Sequence, residues 1–379
     1  MTDYDLYILA LIAVRGIGPH TAKLLINEVG DAKSVFSMSR AAMNSIAGIG
    51  DKTYECIAEQ RNEVIEEAKR EMDYMRTHAI RQINYSDAEF PLRLNAMLDG
   101  PLAVFVKGNG SLEPKRSISV VGTRKATDDG RQICSEIVRD LARRCPDVII
   151  VSGLAYGIDI AAHRAALAND LPTIAVLAHG LDHIYPAAHK TEAAQMMENG
   201  ALLTEYRVGT QMERKQFVSR NRLIAALTDA TLVVESPENG GSMLTMRYAA
   251  SYSREIMAVP GSPMNETSRG CNWAIKTGFA KMVENADDIA TVMGWGEDDN
   301  RLEEYRFDNT KKTTQEPREP LSDEEQALWD ALQNEKEGLT ASLLSAKMQM
   351  PVRNVNAILF DLEMKERVKV MPGNNYKAI

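Results

Sequence analysis

The chain has 379 residues, 44% of them hydrophobic and 26% charged, and a net charge of −9. That length exceeds one ordinary core, so two or three domains of a soluble globular protein are expected, and the acidic balance argues against a nucleic-acid partner gripped by a general basic coat. Cys56, Cys134, Cys145 and Cys271 are widely spaced with no C-x-x-C pair, and neither a signal peptide nor an apolar run of roughly 18 residues occurs; a cytoplasmic protein with reduced thiols and no membrane span is expected.

Residues 1–80 read as a small helical, SAM-like domain. Its two turns, Val14-Arg15-Gly16-Ile17-Gly18-Pro19 and Ile46-Ala47-Gly48-Ile49-Gly50-Asp51, are related, lie 32 residues apart and lead into helices. This is a helix-hairpin-helix pattern, in which glycines let backbone N–H groups approach a phosphate or simply make tight inter-helix turns. No dense lysine cluster stands behind either turn, which favours the second role.

Residues 81–293 are predicted to form an extended Rossmann-like α/β domain. Six apolar runs, starting at Ile118, Val148, Thr173, Ala201, Ala230 and Glu255, end in glycine or small polar residues and alternate with helical periodicity. Such runs are buried strands of a parallel sheet, whose ligands gather at the carboxyl ends. Residues 113–290 hold 20 basic and 21 acidic groups, so a locally basic rim is compatible with this region. A polar stretch, 294–320, reads as a flexible linker. Beyond it, helices near 323–335, 339–348 and 351–366 and a terminal hairpin from Val368 predict a winged helix over 321–379. Asp361, Glu363 and Glu366 on its third helix point to protein contact or a structural role over duplex binding.

At the rim, Ser152-Gly153-Leu154-Ala155-Tyr156-Gly157-Ile158-Asp159 joins a strand to a helix. Small residues at 153, 155 and 157 permit close approach of a phosphate to the helix start, or merely tight packing of helix on strand. Asp159 is placed to cap that helix or order the loop. Neither a P-loop nor G-x-G-x-x-G opens a helix after a strand, which disfavours ATP hydrolysis and ordinary dinucleotide binding. Ser152, Asp159 and His163 do not announce a hydrolytic triad, and His179 and His183 read as solvated loop histidines, not a zinc pair.

Positive charge at the rim comes from Arg124 and from Arg214 to Arg222. Ser219 is expected to cap a helix running from Leu223. Arg220 and Arg222 fall about 200° apart on a helix, so one of them is expected to pair with a buried carboxylate such as Glu205 or Glu235. Phe217 beside these cations supplies what single strands need, a stacking face next to phosphate contacts, unless it staples the helix entry as a core residue.

Together, Val121-Gly122-Thr123-Arg124, Val151 through Asp159 with Ala162-His163, Gly180 through Pro186, Ser219-Arg-Asn-Arg-Leu-Ile-Ala225, Gly241-Ser-Met-Leu-Thr245, Ala258-Val-Pro-Gly261 and Gly270 through Gly278 resemble the bacterial DNA-processing DprA (Smf) family over roughly residues 85–290. The helical front and winged-helix tail look like those of its longer members. The resemblance implies a binding protein and not an enzyme: one that binds and protects single-stranded DNA, loads the RecA recombinase in natural transformation, and dimerises through the Rossmann domain, with no cofactor or metal. Carried onto this chain, it places Gly122, Thr123 and Arg124 with Ser152 and Gly153 around a phosphate, Arg214 or Lys215 as cations, and Phe217 beside the bases. Ala155, Gly157, Arg220, Asn221, Arg222, Gly241 and Ser242 complete the candidate DNA- and phosphate-binding set, with Asp159 and His163 as loop-ordering residues. The chain departs from the family pattern at Val218-Ser219, at Glu238-Asn239-Gly240-Gly241-Ser242 and at His179. The rival class is a Rossmann-type nucleotide phosphoribohydrolase, but Pro237 through Arg247 lacks that class's catalytic glutamate.

Overall fold

All six apolar runs are strands of one sheet in a computed structural model that describes residues 2–295, 321–333, 335, 338–365 and 367–379. The sheet strands are β1 (Arg81–Asn84), β2 (Ala103–Gly108), β3 (Arg116–Val121), β4 (Val148–Ser152), β5 (Thr173–Val176), β6 (Ala201–Thr204), β7 (Ala230–Val233), β8 (Glu255–Ala258) and β9 (Lys281–Met282). Their order is β1-β2-β6-β5-β4-β3-β7-β8-β9. The strands from β6 to β9 run parallel, while β2 joins β6, and β1 joins β2, antiparallel.

The parallel strands are apolar throughout because both faces are covered. Ile118, Val120 and Ile150 enter the layer made with helices Asp128–Arg144 and Ile158–Ala168. Val121, Ile149 and Val151, displaced by the pleat, enter the opposite layer with helices Arg214–Ala226 and Gly241–Ser251. Strands β4 to β6 extend to one side of β3 and β7 to β9 to the other. The chain's winding therefore reverses at β3 and β7, and the crevice beyond their carboxyl ends is where such a sheet leaves room for a ligand.

The front of the chain is helical, with helices Asp3–Ala13, Pro19–Val29, Ala32–Val35, Arg40–Asn44 and Asp51–Thr77. Gly16 and Gly48 adopt φ of +93° and +82°, and Gly18 and Gly50 stand at the starts of the helices that follow. Gln60 clasps the first turn, accepting from Arg15 N–H at 3.0 Å and donating to Arg15 O at 3.1 Å. Beside the second turn, Arg40 is paired with Asp51 and Glu55, each at 3.2 Å. These helices have no separate core: Leu9, Leu25 and Met75 belong to one apolar cluster with Phe105, Leu154, Leu177 and Leu202.

At the other end, helices Asp323–Gln333, Ala341–Met348 and Val352–Met364 pack with a small sheet of β10 (Leu339–Thr340), β11 (Val368–Met371) and β12 (Asn375–Ala378), forming the expected winged helix. It rests on the amino-terminal end of the parallel strands. Ser342 Oγ donates to Tyr252 O at 2.9 Å, and Asn374 Nδ2 donates to Glu255 at 3.0 Å. Of the predicted linker, residues 296–320 lie outside the described residues. No helix among the described residues is long and apolar enough to cross a membrane.

Candidate nucleic-acid interface

Beyond the carboxyl ends of β3 and β7 lies a cleft of about 790 Å³. Gly122, Thr123, Arg124, Ala155, Asp159, Arg214, Phe217, Arg220, Asn221, Gly241 and Ser242 all line it, as do Lys125 and Tyr185. The Arg124 guanidinium lies 5.5 Å from the centre of the half-buried Phe217 ring, and Tyr185 meets the same ring nearly edge-on at 5.8 Å. Arg124, Lys125 and Arg214 are exposed, and none has an ion-pair partner among the described residues. Lys215 lies outside the lining and is held by Glu213 at 2.7 Å.

The helix carrying this charge starts earlier than expected. It runs from Arg214 to Ala226 with Glu213 as its cap, and Gln216 Oε1 accepts from Glu213 N–H at 2.7 Å. Ser219, expected as the cap, is inside the helix, because the Glu-x-x-Gln box closes the end before Ser219 is reached. Arg214 and Lys215 thus occupy a first turn whose backbone already presents positive partial charge. The Glu213 carboxylate already meets that helix start and Lys215, so Arg214 is the cation of this turn left to an anion in the cleft.

The two arginines of the Arg-Asn-Arg motif do not serve as free cations. Arg222 is turned away from the cleft: it pairs with the partly buried Glu205 and donates to Asp99 O at 2.9 Å. Arg220 lies under the cleft floor, 3% exposed, where Nη1 donates to Gly153 O at 2.7 Å and to Val176 O. Burial lowers its pKa to about 10, against the raising effect of the nearby Asp159. Burial likewise pushes the Asp159 carboxyl up, opposed by Arg220, while Asp159 accepts from Ala155 N–H at 3.3 Å. Asp159 orders the loop from within.

Three glycines expected to admit a phosphate instead admit protein. A side chain at Gly122 would overlap Ile158 and the Glu235 carbonyl, one at Gly153 would overlap the Arg220 guanidinium, and one at Gly157, where φ is +81°, would overlap the Thr123 carbonyl. Ser152 is fully buried and its hydroxyl donates to Val120 O at 2.6 Å. The protein's own atoms exclude a side chain at these positions, while Gly122 still lines the cleft through its backbone. Gly241 differs, since nothing lies within 4 Å of where its Cβ would be and it opens a helix capped by no side chain. The Ser242 hydroxyl beside it is committed to Ser236 at 2.7 Å.

His163 ties its helix to β5 through Thr173 Oγ1 at 2.7 Å, a hydrogen bond outside the glycine loop. Loop ordering falls instead to His189, whose Nδ1 bonds Leu154 O at 2.8 Å where Leu154 holds φ of +58°. Nor is His179 solvated: it is 1% exposed, bonds Gly180 O and stacks on His183 at 4.4 Å. Lys125, Tyr185 and His189 were not found from sequence. Lys125 could have been, as the neighbour of Arg124 in the same turn.

Residues 81–294 match the family described as DNA recombination-mediator protein A, and residues 312–374 match the DprA winged helix domain. The chain belongs to the DNA recombination-mediator protein A family. One relative in this family, the putative DNA processing protein DprA of Mycobacterium tuberculosis, is 37% identical over 243 residues, covering 61% of this chain and 62% of that protein. The chain thus spans less than two thirds of the mycobacterial relative's length. Protein Smf of Synechocystis is 29% identical over 401 positions, covering 98% of each chain. Among solved structures of the family, DNA processing protein A of Streptococcus pneumoniae aligns with a TM-score of 0.60 at 30% identity, covering 76% of this chain and 97% of that one. The Helicobacter pylori protein, described for its single-stranded DNA binding mode, aligns with a TM-score of 0.50 at 28% identity over 55% of this chain and 93% of that one. Family membership leaves the phosphoribohydrolase reading without support.

Proposed function

We propose that this chain binds single-stranded DNA along the cleft without regard to sequence, protects it and delivers it to a RecA recombinase in the cytoplasm during natural transformation, acting as a binding protein and not an enzyme. The observation that carries this reading is the grouping of three unpaired cations, Arg124, Lys125 and Arg214, around the half-buried Phe217 ring in one cleft. Cations without carboxylate partners suit a polyanion, and an aromatic face beside them accepts any base. Family membership and the single-stranded DNA binding described for the Helicobacter pylori relative support the same ligand. Exposed Met282 on the edge strand β9, with exposed Met264 and Trp273 in the segment between β8 and β9, supports self-association through the sheet domain.

The deciding experiment is a salt titration of binding to matched single-stranded and duplex oligonucleotides. Preference for the single strand is expected. Replacing both Arg124 and Arg214 with alanine is expected to reduce the slope of log affinity against log salt by about 1.4, two contacts at roughly 0.7 each. An unchanged slope in that folded variant rejects this cleft as the phosphate track.

A further inference from the structure

The helix Asp51–Thr77 grips the stretch that leads into the basic helix through two carboxylates, Glu71 and Glu67. Glu71 is 7% exposed and uses both oxygens on one short stretch: Oε2 accepts from Arg207 Nε at 2.7 Å and Oε1 accepts from Val208 N–H at 2.7 Å. Glu67, one turn back, lies 3.4 Å from both terminal nitrogens of the same guanidinium. Side chain and backbone of residues 207 and 208 are therefore fixed from a single helix.

That stretch supports both sides of the cleft. Downstream it leads, six residues on, to Arg214 and the first turn of the basic helix, and Tyr206 OH reaches Gln216 O at 3.4 Å. Across from it, the Arg207 carbonyl packs so closely on Gly180 that no side chain would fit there, and the Asp182 carboxylate lies beside the Gly209 amide. Residues 180–182 begin the loop that carries Tyr185 to the Phe217 ring. Thr210 closes the turn, its hydroxyl donating to Arg207 O at 2.6 Å.

Building on the single-stranded DNA reading, we infer that Glu71 and Arg207 form a positioning clamp by which the N-terminal helices set the geometry of the cleft, holding Arg214, Phe217 and Tyr185 in register without themselves touching DNA. An apolar contact would fill the same space without the cost of burying a carboxylate, but it would not fix direction. Burial does push the Glu71 carboxyl up, opposed by Arg207. The two-oxygen geometry supplies the direction.

The test uses the full chain and a thymidine oligonucleotide. Glu71→Ala and Arg207→Ala are each expected to weaken binding about fivefold or more, with the double variant no worse than the weaker single one, because they break one shared interaction. The salt slope is expected to remain at the wild-type value, since no phosphate contact is lost. Hydrogen exchange is expected to rise across residues 206–217 while β3 to β5 stay protected. Wild-type affinity and exchange in a folded Glu71→Ala variant overturn the clamp. A shallower salt slope in Arg207→Ala also overturns it, because Arg207 would then be a phosphate contact. Should Glu71→Ala fail to fold, Glu71→Gln and Arg207→Lys carry the same two readouts. Absence of oligonucleotide binding by the wild type defeats the functional reading instead, and the exchange measurement then decides the clamp by itself.

Discussion

At the amino-terminal end of the parallel sheet, Arg93 is 5% exposed and lies between Asp229 at 2.6 Å and Glu113 at 3.2 Å. Asp229 is itself held by the Ser117 N–H and hydroxyl, both at 2.9 Å. At the carboxyl end, Arg124, Lys125 and Arg214 face a cleft with no ion-pair partner among the described residues. The same residue type is a structural pin at one end and an open cation at the other. Asp159 and Glu213 also line that cleft but are engaged by Ala155 N–H and Lys215, so in an acidic chain the ligand face is marked by cations left without a carboxylate partner, not by how many cations the chain carries.

Removing the pin should have the largest effect. Arg93→Ala leaves the largely buried Asp229 with only its Ser117 bonds and Glu113 without its arginine, and a loss of about 3 kcal/mol in denaturant unfolding is expected, with oligonucleotide affinity of the folded fraction unchanged. A loss below about 1 kcal/mol would erase the contrast between the two ends. At the cleft, Phe217→Ala should do the reverse, lowering affinity by about 1–3 kcal/mol for a stacked base while leaving unfolding nearly untouched; the measurement belongs at high salt, where phosphate contacts contribute least. A variant that unfolds early but binds normally would make Phe217 a core residue.

The smallest effect concerns the support beneath the rim. His163 is fully buried, and desolvation lowers its pKa from 6.5 to about 3. The unfolded chain therefore binds a proton below about pH 6.5 that the folded chain refuses, so stability present above 6.5 is lost as pH falls toward 3. Between pH 7 and pH 6 the wild type should lose about 0.7 kcal/mol more than His163→Asn. Parallel stability curves for the two proteins would place His163 in a hydrated site.

The sheet was legible because strands buried on both faces must be apolar along their whole length, and the cleft because the unusual residues follow those strands. Charge availability was not legible. Arg214, Arg220 and Arg222 lie within nine residues on one helix, yet their surroundings come from Glu205, Gly153 and Val176, which are distant in sequence. The helix start was missed because glutamate is an uncommon cap. His189 contacts the glycine loop from 35 residues away, which leaves no local signature. The glycines were read as room for a ligand, whereas the crowding that requires them at 122, 153 and 157 comes from the protein's own atoms.

The apolar cluster that runs through residue 80 makes the front of this chain a wall and not a detachable cassette. Leu9, Leu25 and Met75 share one apolar cluster with Phe105, Leu177 and Leu202, so a fragment beginning at residue 81 would open part of that cluster to water. A shorter homologue built on this sheet would need polar residues at 105, 177 and 202, or some other cover. Comparison of those three positions between long and short relatives would distinguish an ancestral wall from a later addition.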